Sequence, residues 1–186
     1  MKPFLIVLIV LLSSLTGLSY AQDKQAINQR IQDDSNNPIL VGKCSADALL
    51  QEPFMSWYMK NYETYVVDTA TCFYLSPLLK NKKVTIFLGT WCGDSKRQVP
   101  AILKMLDCCN FPKESLTLIM VSNQQDSYKQ SPQHEENGRN IIRVPTIIIE
   151  DNFKEVGRIV EYPVVSLEKD MLSILRKEHY VPNYSK

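Results

Sequence analysis

Five cysteines, Cys44, Cys72, Cys92, Cys108 and Cys109, are the residues of this chain best suited to covalent chemistry. A thiolate attacks disulfides, and its reactivity depends on local positive polarity and access. Cys92 has both in prospect. It sits in Thr90-Trp91-Cys92-Gly93-Asp94-Ser95-Lys96, directly after the apolar, β-rich run Val84–Leu88 and before a stretch of helical period. A sulfur at a helix N-terminus meets unpaired N–H groups and the positive end of the helix dipole. Zinc chemistry is disfavoured, because there is no Cys-x-x-Cys and the only histidines are His134 and His179. Both histidines read as solvated, and no metal or cofactor is expected.

Two neighbours modify that thiol. The dipole stabilises an anion by about 0.3–1 kcal/mol. The Asp94 carboxylate, about 6 Å away at an effective dielectric near 40, repels it by roughly 1.4 kcal/mol before screening. The two effects nearly cancel, so a moderately reactive thiol is expected. Ser95 is placed to donate a hydrogen bond to the Cys92 thiolate. Cys108 and Cys109 read as buried helix-end residues, and a continuous helix puts Cys108 about 24 Å from Cys92 along the axis, beyond disulfide reach. Cys44 and Cys72 are candidates for a structural disulfide closing a loop of about thirty residues, which in the chain-entropy model contributes roughly 3–4 kcal/mol. With an odd number of cysteines, at least one is free or pairs with another molecule.

The elements that must position Cys92 follow from periodicity. Val84–Leu88, Leu116–Val121, Pro145–Glu150 and Val156–Val160 read as strands. From Cys92 to Asp107 the apolar residues Val99, Ile102, Leu103 and Leu106 keep a helical spacing, and Ser166 opens a final helix carrying Met171, Leu172, Ile174 and Leu175. Pro53–Tyr65 places Phe54, Trp57, Tyr58, Tyr62 and Tyr65 on a helical face expected to pack on the domain. Asp68-Thr69 starts a further helix with Cys72, Leu75 and Leu79 on one side, which Pro77 bends or ends. Asn123–Asn140 is polar and reads as a helix or a long loop. The parse is a signal segment 1–21, a polar lead-in 22–52, a helical extension 53–80, and an α/β domain 81–186.

Trp91-Cys92-Gly93, with Lys96 and Pro100 at their offsets, resembles the active-site start of the thioredoxin-like superfamily. Arg143-Val144-Pro145-Thr146 resembles that family's cis-proline loop. The full Gly-Thr-Trp-Cys-Gly-Asp-Ser-Lys run is similar to exported envelope proteins of the family. The resemblance implies a three-layer sandwich around a central mixed sheet, with Pro145 facing Cys92. It also implies that Trp91, Val144 and Pro145 contact substrate and that Val144 offers its backbone to an extended peptide. A cis bond is accessible to Pro145, since X–Pro prefers trans by only about 0.5–1 kcal/mol. Arg143 either steers acidic peptides or is simply solvated. The departures are equally informative. Ser95 replaces the second active cysteine, and Ile86 occupies the position of the family's buried acid. A single thiol cannot resolve its own mixed disulfide and needs an external one.

A formal net charge of +1 gives no field to recruit nucleic acid or an anionic membrane. Lys2, the nine apolar residues Phe4–Leu12 and the small-residue end Ser19-Tyr20-Ala21 have the layout of a secretory signal cleaved after Ala21. An uncleaved anchor is the alternative, although nine residues are short of the roughly 20 that span a bilayer. Export to the periplasm or cell envelope, or secretion, is therefore expected, without membrane attachment after cleavage. The reading is an exported monothiol thiol–disulfide oxidoreductase, doing exchange or isomerisation on protein or small-molecule disulfides with an external thiol reductant. The competing reading is a non-catalytic binding module on the same fold. A thiol peroxidase fits less well, because Thr90 lies two residues before Cys92 instead of three.

Overall fold

Val84, Ile86 and Leu88 are buried in the core on one face and Phe87 on the other, so this run becomes the centre of a sheet. The computed structural model describes residues 27–185, so the signal reading of 1–21 lies outside the described residues. In chain order the elements are β1 (Gln29–Gln32), β2 (Pro38–Cys44), α1 (Met55–Thr64), α2 (Thr69–Leu79), β3 (Lys82–Leu88), α3 (Gly93–Cys108), β4 (Leu116–Met120), β5 (Thr146–Asp151), β6 (Lys154–Val160) and α4 (Leu167–Leu175). The sheet order is β1-β2-β4-β3-β5-β6, with β3 and β4 parallel and every other neighbour antiparallel. This is the expected α/β architecture with a central mixed sheet.

One sheet face carries Val84, Ile86, Leu88, Leu118, Met120, Ile147 and Ile149 into a core shared with residues of all four helices. The other face, with Phe87, Ile119 and Ile148, packs under Val121, Ile141 and Val144, so the segment after β4 forms the third layer. That segment, read as a helix or a long loop, is a loop with one short 3-10 turn at Gln125–Ser127.

The stretch 22–52 is not a mere lead-in. Residues 38–44 form β2, inserted between β1 and β4, and its Ile39, Leu40 and Val41 are buried. β1 is an exposed edge strand of sequence Gln-Arg-Ile-Gln, so it lacks the apolar alternation that would reveal it. The helical extension is fastened to the rest. Asp68 caps α2 through the Thr71 N–H at 3.0 Å. Buried Glu168 on α4 accepts from the Tyr65 hydroxyl at 2.8 Å and from the Asp68 N–H at 3.2 Å. Pro77 falls in the last turn of α2, where it is accommodated without ending the helix. No helix among the described residues is long and apolar enough to cross a membrane.

Candidate active site

β3 ends at Leu88, and the chain turns through Gly89, Thr90 and Trp91 into α3. The turn is closed by Cys92 N–H donating to the Gly89 carbonyl at 3.0 Å. Cys92 is the N-cap of α3, extended at φ −83° and ψ 128°, and its carbonyl accepts the first helical bond from Lys96 N–H at 3.0 Å. Its side chain is half-buried, at the positive end of a sixteen-residue helix. The peptide bond Val144–Pro145 is cis, and the Cys92 thiol donates to the Val144 carbonyl at 3.2 Å. Strand end, helix start and proline loop therefore meet at one sulfur.

Ser95 does not take the expected role. Fully buried, its Oγ accepts from the Gly89 N–H at 3.2 Å, so it locks the turn that presents Cys92 instead of donating to the sulfur. Asp94 is paired with Arg97, which offsets the repulsion expected between its carboxylate and a Cys92 thiolate. Gly93 faces open space: beyond its chain neighbours, a Cβ there would meet nothing within 4 Å. Lys96 lines a cleft of about 520 Å³ with Thr90, Trp91, Trp57, Phe54 and Asn123. Arg143 is exposed, as the solvated reading expects, and it is not a free steering group. It sits 3.8 Å from Glu161 and stacks over the Tyr184 ring at 4.7 Å.

Trp91 is held by its indole N–H, which donates to the Val121 carbonyl at 2.8 Å, and by ring contact with Tyr128 at 5.7 Å. Gly89 makes this possible. A Cβ at position 89 would stand 2.5 Å from the Trp91 ring. Thr90, also buried, accepts from the Leu40 N–H at 3.2 Å and so ties the turn to β2. Val121 and Tyr128 are not legible as site residues in the sequence, and Gly89 and Thr90 stand out there only as part of the motif run, with no packing role assigned. Only the Gly-Thr pair directly before Trp91-Cys92 hints that the turn is tightly packed.

The proline loop is positioned by side chains bonding its main chain. Thr146 Oγ1 donates to the Arg143 carbonyl at 2.7 Å, and Lys129 to the Ile142 carbonyl at 2.8 Å. Arg158 reaches the Arg139 and Asn140 carbonyls at 2.9 and 3.2 Å, and Arg139 pairs with Glu150 at 2.6 Å. The Pro145 carbonyl accepts from Glu161 N–H at 2.7 Å, whereas Val144 N–H has no partner among the described residues. Ile86, where the family's acid would stand, is buried among apolar residues.

The Cys44–Cys72 disulfide does not form: all five cysteines are free. Cys44 ends β2 and points its thiol at the Val41 carbonyl, 3.9 Å away, and burial pushes it up to about 11. Cys72 lies instead beside the end of α3, where Cys109 is buried but Cys108, contrary to expectation, is exposed. His134 is exposed as expected, and its Nδ1 pairs with Glu136 at 3.2 Å. No group of three His, Cys, Asp or Glu side chains among the described residues is arranged to hold a metal.

A thioredoxin family model matches residues 51–172. No curated protein matches the chain. Among solved structures, a protein of unknown function from Pseudomonas aeruginosa is similar with a TM-score of 0.50 at 15% identity, over 74% of this chain and 93% of that one. An HIV epitope-scaffold is similar with a TM-score of 0.51 at 14% identity, over 75% and 95% of the two chains. At these identities the likeness concerns the fold alone.

Proposed function

Because the chain belongs to the thioredoxin family, we propose that it is an exported monothiol thiol–disulfide oxidoreductase acting through Cys92. The observation that carries this reading is the half-buried sulfur at the N-terminus of α3, 3.2 Å from the carbonyl that precedes cis Pro145. Cys92 loses its proton and attacks one sulfur of a substrate disulfide. A Cys92–substrate disulfide forms, the substrate S–S bond breaks, and the departing thiolate takes up a proton. Ser95 cannot continue the reaction, so an external thiol attacks the mixed disulfide and regenerates Cys92. The sequence exchanges disulfides without net oxidation or reduction of the protein, which suits isomerisation or release of small thiols from proteins.

The geometry couples docking to activation. In the resting thiol form the Val144 carbonyl is occupied by the Cys92 S–H, while the Val144 N–H is open. A thiolate has no proton to donate, so ionisation of Cys92 frees the carbonyl. An extended substrate peptide can then pair with both Val144 backbone groups, as an added strand.

The test is exchange of the purified chain with a model disulfide, with Cys92→Ser as control. Exchange that vanishes in the variant supports the reading, and equal rates in both overturn it. Export rests on residues 1–21. Isolation from the cell envelope with an N-terminus at Gln22 is expected, and a chain retained in the cytoplasm with residues 1–21 intact refutes it.

A binding module is the second reading, favoured by a thiol that is hydrogen-bonded to Val144 and has no cysteine at position 95. Partner binding that survives Cys92→Ala, together with slow alkylation of Cys92 at neutral pH, would select it.

A further inference from the structure

The far end of α3 carries a second group of thiols that the Cys92 reaction does not use. Cys72 projects from the buried face of α2, and Cys108 and Cys109 end α3. The Cys109 Sγ lies 3.8 Å from the Cys72 carbonyl, and Cys109 and Cys108 both lie near enough to the Cys72 thiol to disfavour its ionisation. Ser76 Oγ donates to the Cys109 carbonyl at 2.5 Å, fastening α2 to this same helix end. Cys72 and Cys109 are each only 3% exposed, but Cys108 is open to solvent. Cys72 and Cys108 also share the wall of an open cavity of about 690 Å³, together with Phe73, Tyr74 and Arg176. A soluble reagent thus has a path to Cys108, and the thiol that can finish its reaction is already beside it. The cluster lies about 24 Å along α3 from Cys92, so the two sites do not share a sulfur.

We propose that Cys72, Cys108 and Cys109 form a second, dithiol-type redox site, oxidised by low-molecular-weight disulfides to a bond between Cys72 and one of the adjacent pair. The Cys108 thiolate attacks a disulfide RSSR, forming Cys108–S–SR and releasing one RS⁻, which takes up the Cys108 proton. Cys72 then attacks the Cys108 sulfur, the S–SR bond breaks, and a second RSH leaves with the Cys72 proton. Two protein thiols and RSSR become one protein disulfide and two RSH. Exchange within the cluster can pass the bond from Cys108 to Cys109, with Cys72 as the constant partner. Burial, then the neighbouring thiols, hold Cys72 protonated above the usual thiol range, which leaves first attack to exposed Cys108. This inference does not depend on Cys92 being catalytic.

The experiment treats the full chain carrying Cys92→Ser with oxidised glutathione, traps free thiols by alkylation, and maps peptides by mass spectrometry without reduction. The expected product has lost two hydrogens and carries no glutathione at the cluster. It joins the Cys72 peptide to the peptide containing Cys108 and Cys109. With Cys72→Ala added, glutathione should remain on Cys108. If that chain does not fold by circular dichroism, Cys108→Ser with Cys109→Ala must abolish the cross-link from the other side. Stable glutathione on Cys108 beside a free Cys72 would overturn the proposal, as would a cross-link through Cys44. In the chain with native Cys92, Cys72→Ala should leave Cys92-dependent exchange within about twofold of the parent. Because that readout is separate, failure of the cluster and failure of Cys92 chemistry are distinguishable.

Discussion

Gly89→Ala tests the packing that presents the reactive turn. The added Cβ would stand 2.5 Å from Trp91 Cε2, 2.6 Å from Nε1 and 2.9 Å from Cζ2. An ordinary contact needs at least about 3.4 Å, so the indole must retreat by roughly 1 Å. The ring cannot do so freely: its N–H is bonded to the Val121 carbonyl, and its face lies against Tyr128. Overpacking costs about 1–3 kcal/mol, and losing the indole hydrogen bond adds about 0.5–1.5 kcal/mol. The expected destabilisation is therefore about 1.5–4.5 kcal/mol, measured as the shift in the urea midpoint at constant m. Trp91 directly precedes Cys92, so a displacement of this size should also slow exchange with a model disulfide by roughly tenfold or more. Gly93→Ala is the internal control. Its Cβ meets nothing, and replacing glycine inside a helix should leave stability unchanged or raise it by up to about 1 kcal/mol. A Gly89→Ala chain that unfolds within about 0.5 kcal/mol of the parent, with unaltered exchange, would refute this account of the turn.

Three further perturbations follow. Ser95→Cys supplies the resolving thiol one helical turn from Cys92; mixed disulfides trapped on Cys92 in the parent should no longer accumulate, and persistence of equal amounts on acid-quenched gels would exclude resolution at this position. Glu168→Ala strands the Tyr65 hydroxyl and the Asp68 N–H, a loss of about 2–4 kcal/mol, and should lower Tm by roughly 5–15 °C in calorimetry; an unchanged Tm would mean that the helical extension is not anchored through α4. Burial raises Cys44 from an ordinary 9.0 to about 11 and Tyr58 from 10.0 to about 12. Because both folded-state values lie above the unfolded ones, their stabilisation is full below pH 9 and is lost as pH rises from 9 through 12. Urea midpoints should fall across that window, and combining Cys44→Ala with Tyr58→Phe should flatten the fall.

Much of this was legible in sequence because local pattern and burial agree there. β3 is apolar on both faces and covered on both, and α3 buries Val99, Ile102, Leu103 and Leu106 at the spacing read from the sequence. β1 was not legible, since an edge strand needs no apolar face and owes its existence to pairing with β2. The partner of Cys72 was invisible for another reason. Sequence ranks Cys44 and Cys72 by the loop they would close, whereas contact depends on how α2 is laid against the end of α3. Ser95 shows the same gap: its residue type suited the role expected of it, but a nearby backbone N–H took the hydroxyl.

The segment from Val121 to Val144 is where pattern reading stops and side-chain chemistry takes over. It has no long periodic element, yet it must hold one carbonyl beside Cys92. Three long cations do part of that work, since Lys129, Arg139 and Arg158 reach carbonyls or a carboxylate that no helix or strand ladder would otherwise satisfy. The bonds from Lys129 and Arg158 stand in for main-chain partners, so the loop is pinned by side chains instead of by its own periodicity. Arg158 is the informative member, because it projects from β6 and contacts two successive loop carbonyls while paired with Glu155. Removing that one side chain would free both carbonyls at the base of the loop without touching Cys92, Val144 or Pro145. β6, a strand that supplies no atom to the reaction, is thereby one of the supports of the loop that carries Val144, alongside Lys129 and Thr146.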